Sequence, residues 1–155
     1  ADATVQIASR GAWRVLPLSS FITGPKQTML QPGELLVSVR LPVATGAQEF
    51  LKVGTRNAMV ISITSCAVVV DEPAGLIRCA LGSVGPTPVR SPVDEHWLAD
   101  HVEWQPSLHV PAAAAESFGR RMARAARPID DHRATAEYRR HAVGVLVQRA
   151  LERLG

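Results

Sequence analysis

The chain has 155 residues, of which 46% are hydrophobic, 20% charged and 5% aromatic, and its formal net charge is +3. Apolar residues are spread throughout, which excludes wholesale disorder and a fibrous repeat and indicates a globular protein. The longest apolar candidate, residues 58–70, is interrupted by Ser62, Thr64 and Ser65 and falls short of the ~18 residues that span a bilayer. The first ten residues also lack the pattern of a signal peptide, so we expect a cytoplasmic protein.

The N-terminal part of the chain predicts extended structure. Alternation over Thr4–Ala8 predicts a strand, and Gly11 and residues 16–26 predict a turn followed by a loop. The turn sequence QPGE precedes the clearest period-two pattern, residues 35–41, in which odd-numbered and even-numbered positions are expected on opposite faces of a strand. Residues 42–47 are typical of a connection, so we place a domain boundary near Thr45.

The next segment predicts a small antiparallel sheet. Its expected strands are Glu49–Val53, Met59–Val70 and Leu76–Val84, with the loop DEPAG between the last two. If Val70 lies opposite Leu76, Cys66 and Cys79 point to opposite faces, which forbids a disulfide. Two cysteines are too few for a disulfide framework or a zinc site, and we interpret both as buried thiols.

Helices are predicted for the remainder of the chain, over Val93–Asp100, over Ala112–Ala126 and after Thr135. In the last helix one stripe is apolar, and Gly144 falls on another face with His141, Gln148 and Glu152. Strands followed by helices indicate an α+β fold, a small antiparallel sheet of three to four strands covered by about three helices.

The residues alone indicate no catalytic centre and no metal site. His96, His101 and His109 lack the spacing of a helical metal pair, and Asp130 and Asp131 precede a helix whose N-terminus they are expected to stabilise. Residues 50–57 leave a strand through a small cationic loop, which is either a site on a rigid sheet or a solvated turn.

The C-terminal part is basic, since residues 118–155 contain nine arginines and four acidic residues. The arginines alternate with apolar positions of the predicted helices and have no accompanying aromatic platform. We therefore expect a solvated helix face or a docking surface for an acidic partner subunit, and no nucleic-acid binding.

Four segments in order resemble a known family. RVLPLSSFITGPKQTMLQPGELLVSVRLP is similar to the end of the FAD-binding domain in the medium subunits of molybdenum hydroxylases, the xanthine dehydrogenase and carbon monoxide dehydrogenase family. EFLKVGTRNAMVISITSCAVVV, ALGSVGPTPVR and DDHRATAEYRRHAVGVLVQRAL resemble successive signatures of the family's C-terminal domain. The resemblance implies that residues 1–45 are a remnant of the FAD-binding domain and that residues 46–155 form a carbon monoxide dehydrogenase flavoprotein C-terminal-like domain.

The resemblance also implies a cofactor and partners. Leu36 and Lys52, with Leu35 as a weaker candidate, match positions that contact the flavin. Gly54, Thr55, Arg56 and Asn57 match a loop that controls access of the electron acceptor, and the cation of Arg56 favours an anionic acceptor such as NAD. Molybdopterin and the iron–sulfur clusters are expected in partner subunits, a large molybdopterin-binding subunit and a small iron–sulfur subunit.

The glycine-rich segments that hold the FAD pyrophosphate in this family have no counterpart in the chain. We therefore expect a C-terminal piece that does not bind FAD unaided and is inactive alone. The alternative is a non-catalytic interaction module that keeps the C-terminal fold without flavin.

Overall fold

The computed structural model describes residues 2–154, and the first of its two units, residues 1–44, is built on a three-stranded antiparallel sheet. Its strands are β1 (Thr4–Ser9), β2 (Ala12–Pro17) and β5 (Leu35–Arg40), in the order β2-β1-β5. Between β2 and β5 lie a short helix, α1 (Leu18–Phe21), and a hairpin of β3 (Ile22–Gly24) and β4 (Gln27–Thr28).

The prediction of a loop over residues 16–26 was wrong, because this segment contains α1 and β3. The side chain of Phe21 explains the difference. It is buried against Val5 and Ile7, the two buried residues of β1, and this small apolar cluster orders the segment.

The second unit, residues 45–155, is an antiparallel sheet covered by helices. Its strands β6 (Gln48–Val53), β7 (Thr64–Asp71) and β8 (Leu76–Gly82) are ordered β6-β7-β8. The helices α2 (Pro92–Ala99), α3 (Ala112–Ala125) and α4 (Ala136–Glu152) follow. The alternate residues Cys66 and Val68 of β7 are buried and share one core with the helices, so the predicted α+β class is confirmed.

The strand predicted over Met59–Val70 begins only at Thr64. Val53, the last residue of β6, pairs with Thr64, so the ten residues 54–63 must reverse the chain between two antiparallel neighbours. Met59 and Ile61 are exposed in this segment, so their apolar side chains do not belong to a buried strand.

The predicted register of β7 and β8 was wrong by one residue. Val70 pairs with Ile77, because Asp71 belongs to the strand and its carboxylate accepts a hydrogen bond from Ala74 N–H in the turn. Cys66 therefore pairs with Leu81 and lies on the same face as Cys79. Both thiols are free and buried; burial raises the pKa of Cys66 to about 11 and that of Cys79 well above its ordinary value.

The crossing of α3 and α4 depends on two glycines. A Cβ atom on Gly119 would lie 2.5 Å from the carbonyl oxygen of Gly144, so the two backbones are nearly in contact. Gly144 thus packs on α3, because the missing side chain permits the close approach. In the described part of the chain, no helix is long and apolar enough to cross a membrane.

Candidate functional site

Leu35 and Leu36 begin β5 and point to opposite faces of the first sheet. Leu36 pairs with Ile7 and Leu35 with Ala8, so Leu36 lies on the face that carries the buried cluster. Both leucines are exposed, Leu35 to 72% and Leu36 to 43%. Leu36 therefore offers an apolar surface beside the small core of the first unit, on which a flat ring could pack.

A bulge in the β1–β5 pairing changes the predicted alternation along β5. Gln6 pairs with Ser38 and Ile7 with Leu36, so Val37 has no partner on β1. The even-numbered Leu36 consequently shares a face with the odd-numbered Val39, which pairs with Val5. The strict period-two prediction for residues 35–41 was wrong at this point, because the extra residue reverses the order of the faces.

The turn before β5 is fixed by Glu34. Its carboxylate accepts a hydrogen bond from Gln31 N–H at 2.7 Å and forms an ion pair with Arg14 of β2 at 2.6 Å. These contacts hold the pKa of Glu34 below its usual range, mainly through the Arg14 guanidinium. The start of β5, and with it the position of Leu35 and Leu36, is thereby tied to the neighbouring part of the sheet.

Lys52 lies near the end of β6, on the face opposite the helices. Its ammonium group donates a hydrogen bond to the carbonyl oxygen of Val60, with 2.9 Å between Nζ and the oxygen. The side chain remains exposed, and two of its three N–H donors are left for other contacts. Lys52 thus anchors the loop of residues 54–63, hereafter the β6–β7 loop, and still presents a positive charge at the surface.

The β6–β7 loop folds back on its own beginning. A Cβ atom on Gly54 would lie 2.5 Å from Cγ2 of Val60, so the contact requires glycine at this position. Thr55, Arg56 and Asn57 follow and are all exposed. Arg56 forms no ion pair with any other residue that the structure describes, and its charge faces solvent.

A buried arginine that the sequence reasoning missed holds the other end of this loop. Arg139 of α4 is only 2% exposed, and its Nη1 donates to the carbonyl oxygens of Ile63 and Ser83, the latter at 3.2 Å. Its Nη2 lies 2.6 Å from Oδ1 of Asp131. Ile63 is the last residue before β7, so this one side chain connects α4 to the end of the β6–β7 loop and to the exit of β8.

Asp131 is the acceptor that keeps Arg139 in place. The backbone N–H of Arg133, followed by the guanidinium groups of Arg133 and Arg139, holds the pKa of the Asp131 carboxyl well below its usual range. Its neighbour Asp130 accepts a hydrogen bond from Ala136 N–H at the start of α4. The predicted interaction with a helix N-terminus is therefore confirmed for Asp130, whereas Asp131 serves the buried arginine.

The sequence contained a signal for the ion pair between Arg139 and Asp131. Arg139 lies four residues before Val143 and belongs to the apolar stripe of α4, where an arginine must be paired if it is buried. An acidic residue shortly before the same helix was available as its partner.

The described residues contain no group of three or more histidine, cysteine, aspartate or glutamate side chains that could hold a metal ion. The ring Nδ1 atoms of His96 and His101 each lie 2.7 Å from a carbonyl oxygen of α2.

Leu35 and Leu36 belong to the first unit, and Lys52 and the β6–β7 loop to the second. The first unit thus offers two exposed leucines, and the second offers an anchored cationic loop.

Two family models together match nearly the whole chain. Residues 49–154 match the CO dehydrogenase flavoprotein C-terminal domain, and residues 1–44 match the FAD binding domain in molybdopterin dehydrogenase. Among curated proteins, a carbon monoxide dehydrogenase medium chain from Afipia carboxidovorans is 31% identical over 90% of this chain and 48% of its own length. A xanthine dehydrogenase FAD-binding subunit from Escherichia coli is 28% identical over 97% of this chain and 51% of its own length.

Solved structures share the fold. A chain of quinoline 2-oxidoreductase from Pseudomonas putida 86 superposes with a TM-score of 0.83 at 22% identity, over 99% of this chain and 52% of that one. A chain of carbon monoxide dehydrogenase from Hydrogenophaga pseudoflava superposes with a TM-score of 0.81 at 25% identity, over 99% of this chain and 52% of that one. The chain therefore spans about half the length of the relatives that it matches.

Proposed function

Because the chain belongs to the CO dehydrogenase flavoprotein C-terminal domain family, we propose that it acts as the C-terminal part of a subunit that relays electrons through FAD. The resemblance to the medium subunits of molybdenum hydroxylases is confirmed by this family match and by the xanthine and carbon monoxide dehydrogenase relatives. The observation that carries the proposal is the order of the two matches, an FAD-binding segment at residues 1–44 followed directly by the C-terminal domain.

In the proposed function the subunit receives electrons from the iron–sulfur clusters of a small partner subunit, and a large partner subunit binds molybdopterin. FAD supplies the chemistry of accepting these electrons and giving them to an acceptor. The residues of this chain bind and orient the flavin and control which acceptor reaches it.

The exposed residues of the structure fit a flavin. Leu36 presents an apolar side chain that is 43% exposed, which suits contact with an aromatic ring system. The ammonium of Lys52 is fixed by Val60 and retains free donors, and a positive charge near the ring favours the electron density added on reduction. Leu35, on the opposite face of β5, ranks below Leu36 in this proposal.

The β6–β7 loop controls access in this proposal. Gly54 and Lys52 fix its beginning and Arg139 fixes its end, so the exposed Thr55, Arg56 and Asn57 are held on a rigid support. Arg56 faces solvent, and its positive charge attracts an anionic acceptor such as NAD. Replacing Arg56 with Glu in the complete enzyme should raise the KM for NAD and leave that for a neutral acceptor unchanged. An unchanged KM for NAD would refute this role of the loop.

We further propose that residues 1–45 are the last portion of an FAD-binding domain and that residues 46–155 form the C-terminal domain. In this proposal the chain alone is inactive, because the glycine-rich segments that hold the FAD pyrophosphate in this family have no counterpart in its sequence. The exposed apolar residues of β5 and β2, among them Trp13, support this, since they leave the first sheet without a complete core.

The proposed flavin contacts are tested in the complete subunit. Leu36→Asn should reduce the FAD retained after gel filtration, and Leu35→Asn, a change on the other face of the same strand, should reduce it less. Lys52→Met should lower the reduction potential of the bound flavin, whereas Lys52→Arg, which keeps the charge, should not. If both leucine variants retain full FAD and both lysine variants keep the potential, these residues do not contact the flavin. A complete subunit that never binds FAD would favour a non-catalytic interaction module.

A further inference from the structure

The surface of the second unit contains a cationic cleft between α2 and α3 that the proposed flavin function does not use. Its volume is about 230 Å³. The residues that line it come from both helices, and three of them are arginines of α3: Trp97, Ser117, Arg120, Arg121 and Arg124. We call this feature the α2–α3 cleft.

Arg121 is held rigidly in this cleft. Its guanidinium carbon lies 4.1 Å from the centroid of the Trp97 ring, and its Nη1 lies 3.1 Å from Oδ1 of Asp94. Trp97 is itself restrained, because it stacks on His101 with ring centroids 4.1 Å apart. A guanidinium has five N–H donors, so Asp94 leaves most of them for a ligand, and the prior immobilisation reduces the entropy lost on binding.

The cleft retains a positive charge that the acidic residues around it do not balance. Arg120 pairs with Glu116 and also donates to the Ser117 hydroxyl oxygen at 3.2 Å, and Arg121 pairs with Asp94. Arg124 lies one turn further along the same helix, is exposed, and forms no ion pair with any residue in the described part of the chain. An anion in the cleft therefore meets one fixed and one unpaired guanidinium together.

We propose that the α2–α3 cleft binds a phosphate group. Guanidinium forks match phosphate oxygens in bidentate geometry, and a phosphate accepts from several arginines at once, which a single carboxylate does less well. The volume is below the roughly 300–1,000 Å³ of sites that enclose a drug-sized ligand, so the cleft suits the charged group itself rather than a whole cofactor.

The test is a titration of the full, ¹⁵N-labelled chain with inorganic phosphate at constant ionic strength, followed by nuclear magnetic resonance. Saturable shifts of the Trp97 indole N–H and the Arg121 Nε–H signals are expected. Arg124→Gln should weaken phosphate binding roughly tenfold, the effect of losing one hydrogen bond from a charged donor. Arg149→Gln, which changes an exposed arginine of α4 outside the cleft, is the matched control and should leave the affinity unchanged.

Three results would overturn the proposal. They are shifts no larger than those caused by chloride, equal weakening by the Arg124 and Arg149 variants, and acetate binding as tightly as phosphate. A parallel titration with adenosine monophosphate identifies the source of the group. Tighter binding than inorganic phosphate assigns the cleft to a nucleotide phosphate, and equal binding shows that the phosphate group alone is recognised. None of these readouts depends on flavin, so the proposed function stands or fails separately.

Discussion

Replacing Arg139 with methionine should destabilise the second unit and loosen the β6–β7 loop. Methionine fills a similar length of apolar space but has no donor for the carbonyl oxygens of Ile63 and Ser83. A hydrogen bond from a charged donor contributes roughly 1.5–3 kcal/mol, and leaving a buried carbonyl unsatisfied has a similar cost. The native Arg139 Nε has no hydrogen-bond partner among residues 2–154, and its removal offsets part of the loss. We expect a net loss of about 3 kcal/mol, a large part of a typical stability of roughly 5–15 kcal/mol.

Urea unfolding followed by the far-ultraviolet circular dichroism of the helices measures this loss, because the three long helices belong to the second unit. Arg140→Met is the matched control, since Arg140 is the next residue of α4 and is exposed. This control should change the free energy of unfolding by no more than about 0.5 kcal/mol. Hydrogen exchange of residues 54–63 should quicken in the Arg139 variant alone. Equal stability of the two variants, or unchanged exchange in this loop, would refute the role assigned to Arg139.

Three further outcomes are expected. Asp131→Asn should lower the free energy of unfolding at neutral pH. Its difference from the wild type should shrink as the pH falls below about 3.9 toward the lowered pKa of folded Asp131, because both side chains are then uncharged. Acid unfolding curves measure this difference, and a difference that persists in strong acid would contradict the expectation. Cys66 and Cys79 should resist a thiol reagent at mildly alkaline pH until urea unfolds the chain, since both are buried and their pKa values are raised, so rapid labelling of the folded protein would count against their burial. Gly119→Ala should lower the melting temperature more than Gly144→Ala, because its Cβ meets a backbone oxygen at 2.5 Å rather than 3.1 Å, and the reverse order would show that α3 and α4 do not cross as described.

Local patterns predicted the elements whose signals lie within a few residues. Pro92 and Thr135 mark helix starts that the structure confirms within a residue, because proline and a capping hydroxyl act locally; Thr135 accepts a hydrogen bond from Tyr138 N–H at 3.2 Å. The α+β class followed from the order of strands and helices alone.

Errors arose where a contact between distant parts of the chain decided the outcome. The β7–β8 register depended on whether Asp71 belongs to the strand or to the turn, and a shift of one residue reversed the inferred faces of Cys66 and Cys79. The close approach of Gly144 to Gly119 could likewise not be predicted from the sequence of α4 alone. The bulge at Val37 likewise appears only when β1 is laid beside β5.

For the candidate site too, local features were predicted from the sequence and contacts between distant residues were not. The strand that carries Leu36 and the cationic loop after Lys52 were visible as patterns in the sequence, whereas the hydrogen bond from Lys52 to Val60 depends on how the loop folds back. Arg139 is 76 residues from Ile63 along the chain, and no local rule connects two such positions. That Leu36 and Lys52 contact a flavin stays a prediction.

The most direct test of the central claim is the flavin content of this chain compared with that of the complete subunit. Both are mixed with FAD, separated from the free cofactor by gel filtration, and measured by visible absorbance and intact mass. We predict a colourless chain and a yellow complete subunit with stoichiometric FAD, because the glycine-rich segments that hold the FAD pyrophosphate in this family have no counterpart in the sequence of this chain. A chain of this mass that retains stoichiometric FAD would contradict the claim that it is only the C-terminal part of the flavin site.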